Sequence, residues 1–331
     1  MKIFFNLAAT QKWESARAFC ARNLAESFCR LSPQSEIIFF GAEKSEQFLN
    51  WQKKLRRKLA RKPRGKTLFF WRNLKRGGIK FFSNFRAKLF LKFGKFDAIF
   101  STEIRKISAR KNARIFYFTE NSNFTAAQIA ILKSATGVFV PAVAGKRNLI
   151  ARGVAAEKVK IARLAPEKIS RRPREKEIRA AREKFNLPKN FVLVFGENLS
   201  AARAEFAKFS EKFPAKNLHF FDASKIYKNK VSPLLRGARA AVFLDENFKI
   251  EVLRAARFRV PLILPEGNYF REIFPRGAFF FDPKNPDEFS AILEKVIFEK
   301  RILFRATARA KSISRRFSWE KTARKIWKNL R

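Results

Sequence analysis

The sequence predicts an α/β protein with two Rossmann-like, doubly wound domains. Its 331 residues are too many for one ordinary hydrophobic core and suit two domains. The chain opens as strand, helix and strand at Lys2 to Leu7, Trp13 to Leu31 and Glu36 to Phe40, with apolar residues at the periods of those structures. This pattern restarts at the apolar run Phe191 to Phe195, after the polar, proline-punctuated segment Pro166 to Glu175. Such a segment is typical of an interdomain linker.

The rest of the first half continues the alternation. Strands are predicted at Phe96 to Ser101, Arg114 to Thr119 and Val138 to Val140, and a helix at Phe124 to Ala135. Val159 to Leu164 then leads into the linker. Alternating strands and helices of this length indicate a parallel sheet covered by helices.

In the second half, one strand–helix–strand unit places an acidic side chain where ligands bind. Ala240 to Leu244 has the length of a buried strand, and Pro261 to Leu264 is the next apolar run. The two runs and the stretch between them fall within about thirty residues, the length of one βαβ unit. Open α/β sheets bind ligands outside the carboxyl ends of their strands. Glu246, which follows the first strand, is therefore a candidate site residue.

The second half also contains the single histidine and two final helices. His219 lies in the predicted strand Leu218 to Phe221, so we expect a packed core imidazole rather than a catalytic base. Helices are predicted at Pro286 to Arg305 and at Ser318 to Leu330. They would complete the second domain.

Charge and cysteine content limit the function classes. With 73 Lys and Arg against 28 Asp and Glu, the net charge is +45, which favours polyanionic partners. Both halves carry the excess of positive charge, so most of it is interpreted as a solvated, compositionally driven surface.

Cys20 and Cys29 fall on opposite faces of one predicted helix and cannot pair there. We expect no metal site, no cofactor and no specific nucleic-acid partner, because zinc, dinucleotide, Walker and DNA-binding motifs are lacking.

A basic segment in the first half has an ambiguous amphipathic pattern. Ile79 to Phe93 would place an apolar stripe on one helical face and lysines opposite. Such a helix can lie in a membrane interface, pack on a core with its basic face solvated, or act as an RNA-binding arm, which would need exposed aromatics. The candidate membrane or acceptor residues are Lys80, Phe82, Phe85, Lys88 and Phe93.

Several motifs in the second half resemble the donor-binding half of the family-4 glycosyltransferases. Aligned on Pro261, the stretch Glu246-Asn247-Phe248-Lys249 falls on the family's Glu-Gly-Phe-Gly and Arg254 falls on its second glutamate. Later matches are Glu272, the stretch Asp282 to Phe289, and Phe317-Ser318-Trp319-Glu320. The resemblance covers roughly residues 113 to 331. It implies the GT-B fold, in which two doubly wound domains face a cleft.

The resemblance also implies roles for particular residues. The implied catalytic residues are Glu246, which would hold the donor sugar, and Glu120, which follows the strand that ends at Thr119 and is the best matching acid on the acceptor side. The implied donor-binding residues are Gly196, Asn198, Arg203, Asn247, Phe248 and Arg254. The chain departs from the family where Glu197 and Ala202 replace the Arg and Lys that clamp the diphosphate, and where the Gly-Gly loop after the first strand is lost. Arg203 or Arg254 would have to supply the missing positive charge.

On this resemblance we expect four segments and a sugar transferase. Residues 1–165 would form the acceptor-side domain, 166–176 the linker, 177–316 the nucleotide-sugar domain, and 317–331 a helix packing back toward the first domain. The implied reaction is retaining transfer of a hexose from a nucleotide-diphosphate sugar to a lipid-linked or polysaccharide acceptor in cell-envelope glycan synthesis. The implied location is the cytoplasm, with attachment to the inner face of the plasma membrane left open. A catalytically degenerate scaffold and a basic nucleic-acid-binding protein are the alternatives.

Overall fold

A computed structural model describes most of the chain, in two compact units. The described residues are 2–6, 16–31, 36–40, 50–51, 54, 96–104, 106–107, 113–120, 123–168, 171–224, 226 and 231–330. The first unit is Met1–Arg163 together with Trp319–Arg331, and the second is Leu164–Ser318. The segment Ile79 to Phe93 and its five candidate membrane residues lie outside the described residues.

Strands and helices alternate along both units. The strands are β1 Lys2–Asn6, β2 Glu36–Phe40, β3 Ala98–Ser101, β4 Arg114–Phe118, β5 Gly137–Val140, β6 Val159–Ile161, β7 Phe191–Phe195, β8 His219–Asp222, β9 Ala240–Phe243, β10 Leu262–Pro265 and β11 Phe279–Phe281. The described α-helices are α1 Ala16–Leu31, α2 Ala126–Ser134, α3 Val143–Ala151, α4 Glu175–Lys184, α5 Ser200–Lys212, α6 Val231–Gly237, α7 Lys249–Phe258, α8 Asn268–Ile273, α9 Pro286–Phe298, α10 Lys300–Arg315 and α11 Trp319–Leu330. Short 3-10 turns cover Pro214–Lys216 and Glu246–Phe248.

The first unit is built on a six-stranded parallel sheet in the order β2-β1-β3-β4-β5-β6. Strands β3 and β5 are buried along their whole length, as expected for apolar strands covered on both faces. On one face, Phe28 of α1 contacts Phe5 of β1, with ring centroids 5.6 Å apart. The chain's last helix, α11, covers α1, with Phe19 against Trp319 and Phe28 against Trp327. Helix α1 is thus enclosed between the sheet and α11.

That enclosure explains the state of the two cysteines. Cys20 and Cys29 both lie in α1 and are free thiols, as the sequence predicts, and both are buried. Burial, with a smaller contribution from Glu26, raises the pKa of the Cys29 thiol to about 12, because an apolar environment disfavours the thiolate.

The second unit contains a five-stranded parallel sheet in the order β11-β10-β9-β7-β8. Its middle strands β7 and β9 are fully buried. Helices α5 and α9 supply Phe206, Phe209 and Leu293 to the core on one face, and α10 packs on α7. Within the described residues, no helix is long and apolar enough to cross a bilayer.

Two expectations about the second unit are wrong. The helix predicted over Pro286 to Arg305 is two helices, because Glu299 leaves the helical region with φ −93° and ψ 77°, so that α9 packs on α5 while α10 packs on α7. His219 is exposed rather than packed in the core. It is the first residue of β8, and β8 is an edge strand of the sheet, where one side of the ladder lacks a neighbouring strand.

Candidate active site

The candidate site lies at the carboxyl edge of the second unit's sheet. All five strands are parallel, so the loops that follow β7, β8, β9 and β10 leave the sheet at the same edge. This is the edge at which open α/β sheets bind ligands. Side-chain contacts connect these four loops to one another.

Asp245 joins the loop after β9 to the loop after β7. Its Oδ1 accepts a hydrogen bond from the backbone N–H of Asn247 at 2.8 Å, and its Oδ2 accepts one from the backbone N–H of Glu197 at 3.1 Å. The Asn247 side chain donates from Nδ2 to Glu197 Oε1 at 3.0 Å. Asp245 also caps the 3-10 turn that begins at Glu246, which is the ordinary role of an aspartate before a helical turn. It therefore fixes the backbone that carries Glu246.

Gly196 connects the loop after β7 to its other neighbour. Ser224, in the loop after β8, accepts from the Gly196 N–H at 2.9 Å and donates its hydroxyl proton to the Gly196 carbonyl oxygen at 2.8 Å. A Cβ at Gly196 would lie 2.8 Å from the Leu244 Cβ, which is closer than carbon atoms approach. Glycine at this position allows the first turn after β7 to lie against the β9 loop.

Glu246 lies against the loop after β10. Its side chain is half-buried, and its Oε1 is 2.5 Å from the position that a Cβ on Gly267 would occupy. Among the described residues, no hydrogen bond engages the Glu246 carboxylate. Asp245 holds the backbone of the turn that carries Glu246, and the oxygens of this carboxylate can accept hydrogen bonds from the hydroxyls of a ligand.

Arg254 lies elsewhere on α7 and is already paired. It is 1 % exposed, and its Nε lies 2.6 Å from each oxygen of Glu167. Its Nη1 lies 3.3 Å from Glu251 Oε1, on the same helix. The buried guanidinium therefore connects α7 to the segment that contains Glu167, with its charge balanced by two carboxylates. The phosphate-binding role of Arg254 stays a prediction.

Two other cations lie near the carboxyl edge. Arg203 is exposed in the first turn of α5, with its guanidinium carbon 4.9 Å from the centroid of the Phe220 ring. Lys249 is the first residue of α7, with its Nζ 5.2 Å from the centroid of the Tyr269 ring. The sequence alignment assigned Lys249 only to a motif glycine, so its position at this edge was missed. The lysine that replaces the motif's second glycine was the sequence feature that could have indicated a cation at this edge.

The remaining predicted donor residues also lie at this edge. Asn198 uses its Oδ1 to accept from the backbone and hydroxyl of Ser200, which orders the turn into α5. Phe248 packs on Phe195 of β7, with ring centroids 5.6 Å apart. Gly196, Asn198, Asn247 and Phe248 thus all belong to the loops that follow β7 and β9.

Two further acidic side chains border these loops, and both are engaged by the protein. Asp222 accepts from the backbone of Ser224, and Glu266 is paired with Arg271. Hydrogen bonding to Arg271 lowers the pKa of the Glu266 carboxyl. The described residues contain no group of three His, Cys, Asp or Glu side chains that could hold a metal ion.

In the first unit, Glu120 follows β4. Its Oε2 is 3.6 Å from the Sγ of Cys20, which donates to it from α1. The side chain is half-buried. The other predicted site residues of this unit lie outside the described residues.

Comparison with known proteins identifies the fold. No protein-family model matches the chain, and no curated protein matches its sequence. Solved structures do match over almost the whole length. HepE from Anabaena, in complex with UDP and glucose, has a TM-score of 0.71 at 13% identity, with 100% of this chain and 99% of that chain covered.

The chain has the GT-B fold. A glycosyltransferase from Rickettsia africae matches with a TM-score of 0.67 at 11% identity, covering 99% of this chain and 97% of that one. The lipopolysaccharide outer core galactosyltransferase WaaB, in its apo form, matches with a TM-score of 0.64 at 15% identity, covering 100% and 99%. The fold class predicted from the sequence is confirmed, and the family-4-like resemblance agrees with these structures in fold.

Proposed function

We propose that the protein is a glycosyltransferase that moves a hexose from a nucleotide-diphosphate sugar to an acceptor hydroxyl with retention of configuration. The observation that carries this proposal is the position of Glu246 at the carboxyl edge of a GT-B sheet, half-buried beside Gly267 and held by the Asp245-capped turn. The crystal structures of HepE with UDP and with UDP-glucose support a nucleotide sugar as the donor here.

In the proposed reaction, the bond between the sugar's anomeric carbon and the diphosphate oxygen breaks as a bond to the acceptor oxygen forms on the same face. The leaving phosphate oxygen takes the acceptor's proton, so no protein nucleophile is needed. Glu246 orients the sugar by accepting hydrogen bonds from its hydroxyls. Lys249 and Arg203 stabilise the charge that develops on the diphosphate. Arg254 is left out of this set because Glu167 and Glu251 already engage it.

We further propose a lipid-linked or polysaccharide acceptor of the cell envelope, bound by the first unit with Glu120 on the acceptor side. The net charge of +45 supports an anionic acceptor or an anionic membrane surface, because opposite charge raises the local concentration of such partners. On this proposal the enzyme works in the cytoplasm, where it can reach the inner face of the plasma membrane. WaaB, a galactosyltransferase of the lipopolysaccharide outer core, supports that class of acceptor.

One observation favours a second candidate, a catalytically degenerate GT-B scaffold. The backbone N–H groups of Glu197 and Asn247, which could hold a phosphate, donate to Asp245 instead. Glu197 itself stands where the related family has an arginine. A diphosphate brought to this point would meet like charge, which disfavours binding.

A thermal-shift screen separates the two candidates. The protein is heated with UDP, GDP, ADP or TDP and their common sugar conjugates, in roughly 0.3 M salt to weaken nonspecific phosphate binding. A ligand bound only by the folded chain raises the melting temperature. A shift for one nucleotide, larger with one sugar attached, supports a transferase and names the donor. No shift with any of them favours the scaffold.

Turnover by variants then tests the role of Glu246. E246A is expected to abolish transfer while leaving the melting temperature within about 2 °C of wild type, because the Glu246 carboxylate makes no hydrogen bond to the described part of the chain. E294A is the matched control, since Glu294 pairs with Lys212 on the surface of the same unit; this variant should leave turnover unchanged. Transfer by E246A at the wild-type rate would reject the assignment.

A further inference from the structure

The most exposed large apolar side chains of the described residues are concentrated at one corner. Four such side chains are at least 37% exposed, and three of them, Phe298, Ile302 and Phe304, lie within seven residues where α9 turns into α10. Phe304 is 67% exposed. Isolated surface hydrophobic residues are ordinary, but a cluster of them marks an interaction site. We call this cluster and its flanking cations the α9–α10 corner.

Cations surround the apolar side chains. Helix α10 contains six Lys or Arg and no acid. Arg301, Arg305 and Arg309 stand at positions i, i+4 and i+8, so they form one exposed row along the helix. At about 100° per residue, Ile302 and Phe304 lie on the two sides of that row.

The neighbouring elements add further positive charge. Lys216 Nζ lies 4.6 Å from the centroid of the Phe298 ring, and the guanidinium carbon of Arg259 lies 6.0 Å from that of Phe304. Glu299, at the turn itself, is exposed and carries the opposite charge. The combination of exposed aromatic and aliphatic side chains with long cationic ones is the composition of surfaces that enter the headgroup region of a bilayer.

The corner lies at the opposite edge of the sheet from the candidate active site. Lys216 belongs to the 3-10 turn that directly precedes β8, and it contacts Phe298 at the end of α9. Because the strands are parallel, their first residues share one edge and the ligand-binding loops share the other. A surface bound at the corner therefore leaves the Glu246 loops accessible.

From these observations we infer that the α9–α10 corner docks on an anionic phospholipid bilayer, with Phe298, Ile302 and Phe304 entering the interface and the arginine row contacting lipid phosphates. Charge complementarity selects anionic lipid, since each basic residue near such a surface adds to the attraction. The exposed apolar side chains favour a bilayer over a nucleic acid, because phosphate contacts alone would need no aliphatic side chain. The inference does not depend on the proposed transferase activity.

A fluorescent label at the corner tests docking locally. Phe304→Cys is labelled with an NBD thiol reagent in the full chain, where Cys20 and Cys29 are buried. Vesicles of phosphatidylglycerol and phosphatidylcholine are expected to shift the emission to the blue, and vesicles of phosphatidylcholine alone are not. The control is the same label at Ile150→Cys, which is 37% exposed in the first unit and should keep its aqueous emission.

Flotation with vesicles gives the second readout, in roughly 0.3 M salt to suppress general electrostatic attraction. I302S/F304S is expected to lower the partition coefficient about tenfold, because partitioning scales with apolar area buried. R301Q/R305Q should lower it more than R179Q/K184Q, which removes the same charge from exposed positions on α4.

Either of two results overturns the inference. In the first, the label at position 304 keeps its aqueous emission while the protein floats, which assigns docking to another surface. In the second, RNA or DNA causes the same emission shift as the vesicles, which makes the corner a general polyanion site.

Discussion

Replacing Arg254 by methionine should markedly lower the melting temperature of the second unit. The side chain is 1% exposed and lies between Glu167 and Glu251. Glu251 is itself 8% exposed at its side chain, so the substitution removes the Arg254 cation from beside a buried carboxylate. Breaking a buried ion pair from one side costs about 3–5 kcal/mol, whereas methionine refills most of the volume. A unit of this size loses roughly 2–4 °C per kcal/mol, so we expect a fall of about 6–20 °C.

Differential scanning calorimetry of R254M, E251L/R254M and R254E resolves the cause. The double variant should recover most of the loss, because an apolar replacement of both buried charges is often neutral and Glu167, 33% exposed, can return to water. R254E restores the glutamate of the related family and should be the least stable, since it brings three carboxylates together. If R254M melts within about 2 °C of wild type and binds nucleotide more weakly, the reasoning is refuted and Arg254 contacts the donor.

Three further predictions follow from single contacts. Gly267→Ala should leave stability nearly unchanged, because the Gly267 φ of −179° suits alanine and the added Cβ displaces only the end of the Glu246 side chain. It should nevertheless reduce sugar transfer strongly, as measured in a turnover assay. Glu177, paired with Arg171, should titrate at a pKa of about 2 in an NMR pH series, so its contribution to stability is complete above the ordinary glutamate pKa and is lost as the pH falls toward 2. R171Q should return the Glu177 pKa toward its ordinary value, and an unchanged titration would contradict the pairing. Cys29 should resist iodoacetamide at pH 8 in the folded chain and react after denaturation, because burial raises its pKa to about 12. Mass spectrometry detects the adduct, and rapid labelling of the native protein would show that α1 is not enclosed.

The local pattern of apolar and polar residues was sufficient to predict most strands and helices of the fold. Strand β2 was predicted with both ends correct, Glu36–Phe40, and β7 likewise, Phe191–Phe195, because short apolar runs bounded by polar residues allow little choice of ends. The break at Glu299 was not predicted. Helical periodicity continues through it, and only the different partners of α9 and α10 separate them. His219 was misassigned because its apolar neighbours do not reveal that β8 is an edge strand.

The candidate site was less predictable because its contacts join distant parts of the chain. The alignment placed Glu246 in a loop, but the bond from Glu197 to Asp245 spans 48 residues and no spacing rule finds it. The Arg254 pair with Glu167 spans 87 residues. Sequence could show that Arg254 reverses the charge of a motif glutamate, whereas only the fold shows which carboxylates surround it.

Asp245 limits where a donor diphosphate could bind. Its two oxygens accept from the backbone N–H groups of Glu197 and Asn247, so a phosphate and the Asp245 carboxylate would compete for the same donors. Two described cations, Lys249 and Arg203, instead lie at the starts of the helices α7 and α5, where helix dipoles also favour negative charge. A donor bound there keeps the Asp245 contacts intact and, with them, the turn that fixes Glu246. The loss of the usual arginine and lysine is therefore compatible with transfer if the diphosphate lies at these helix starts.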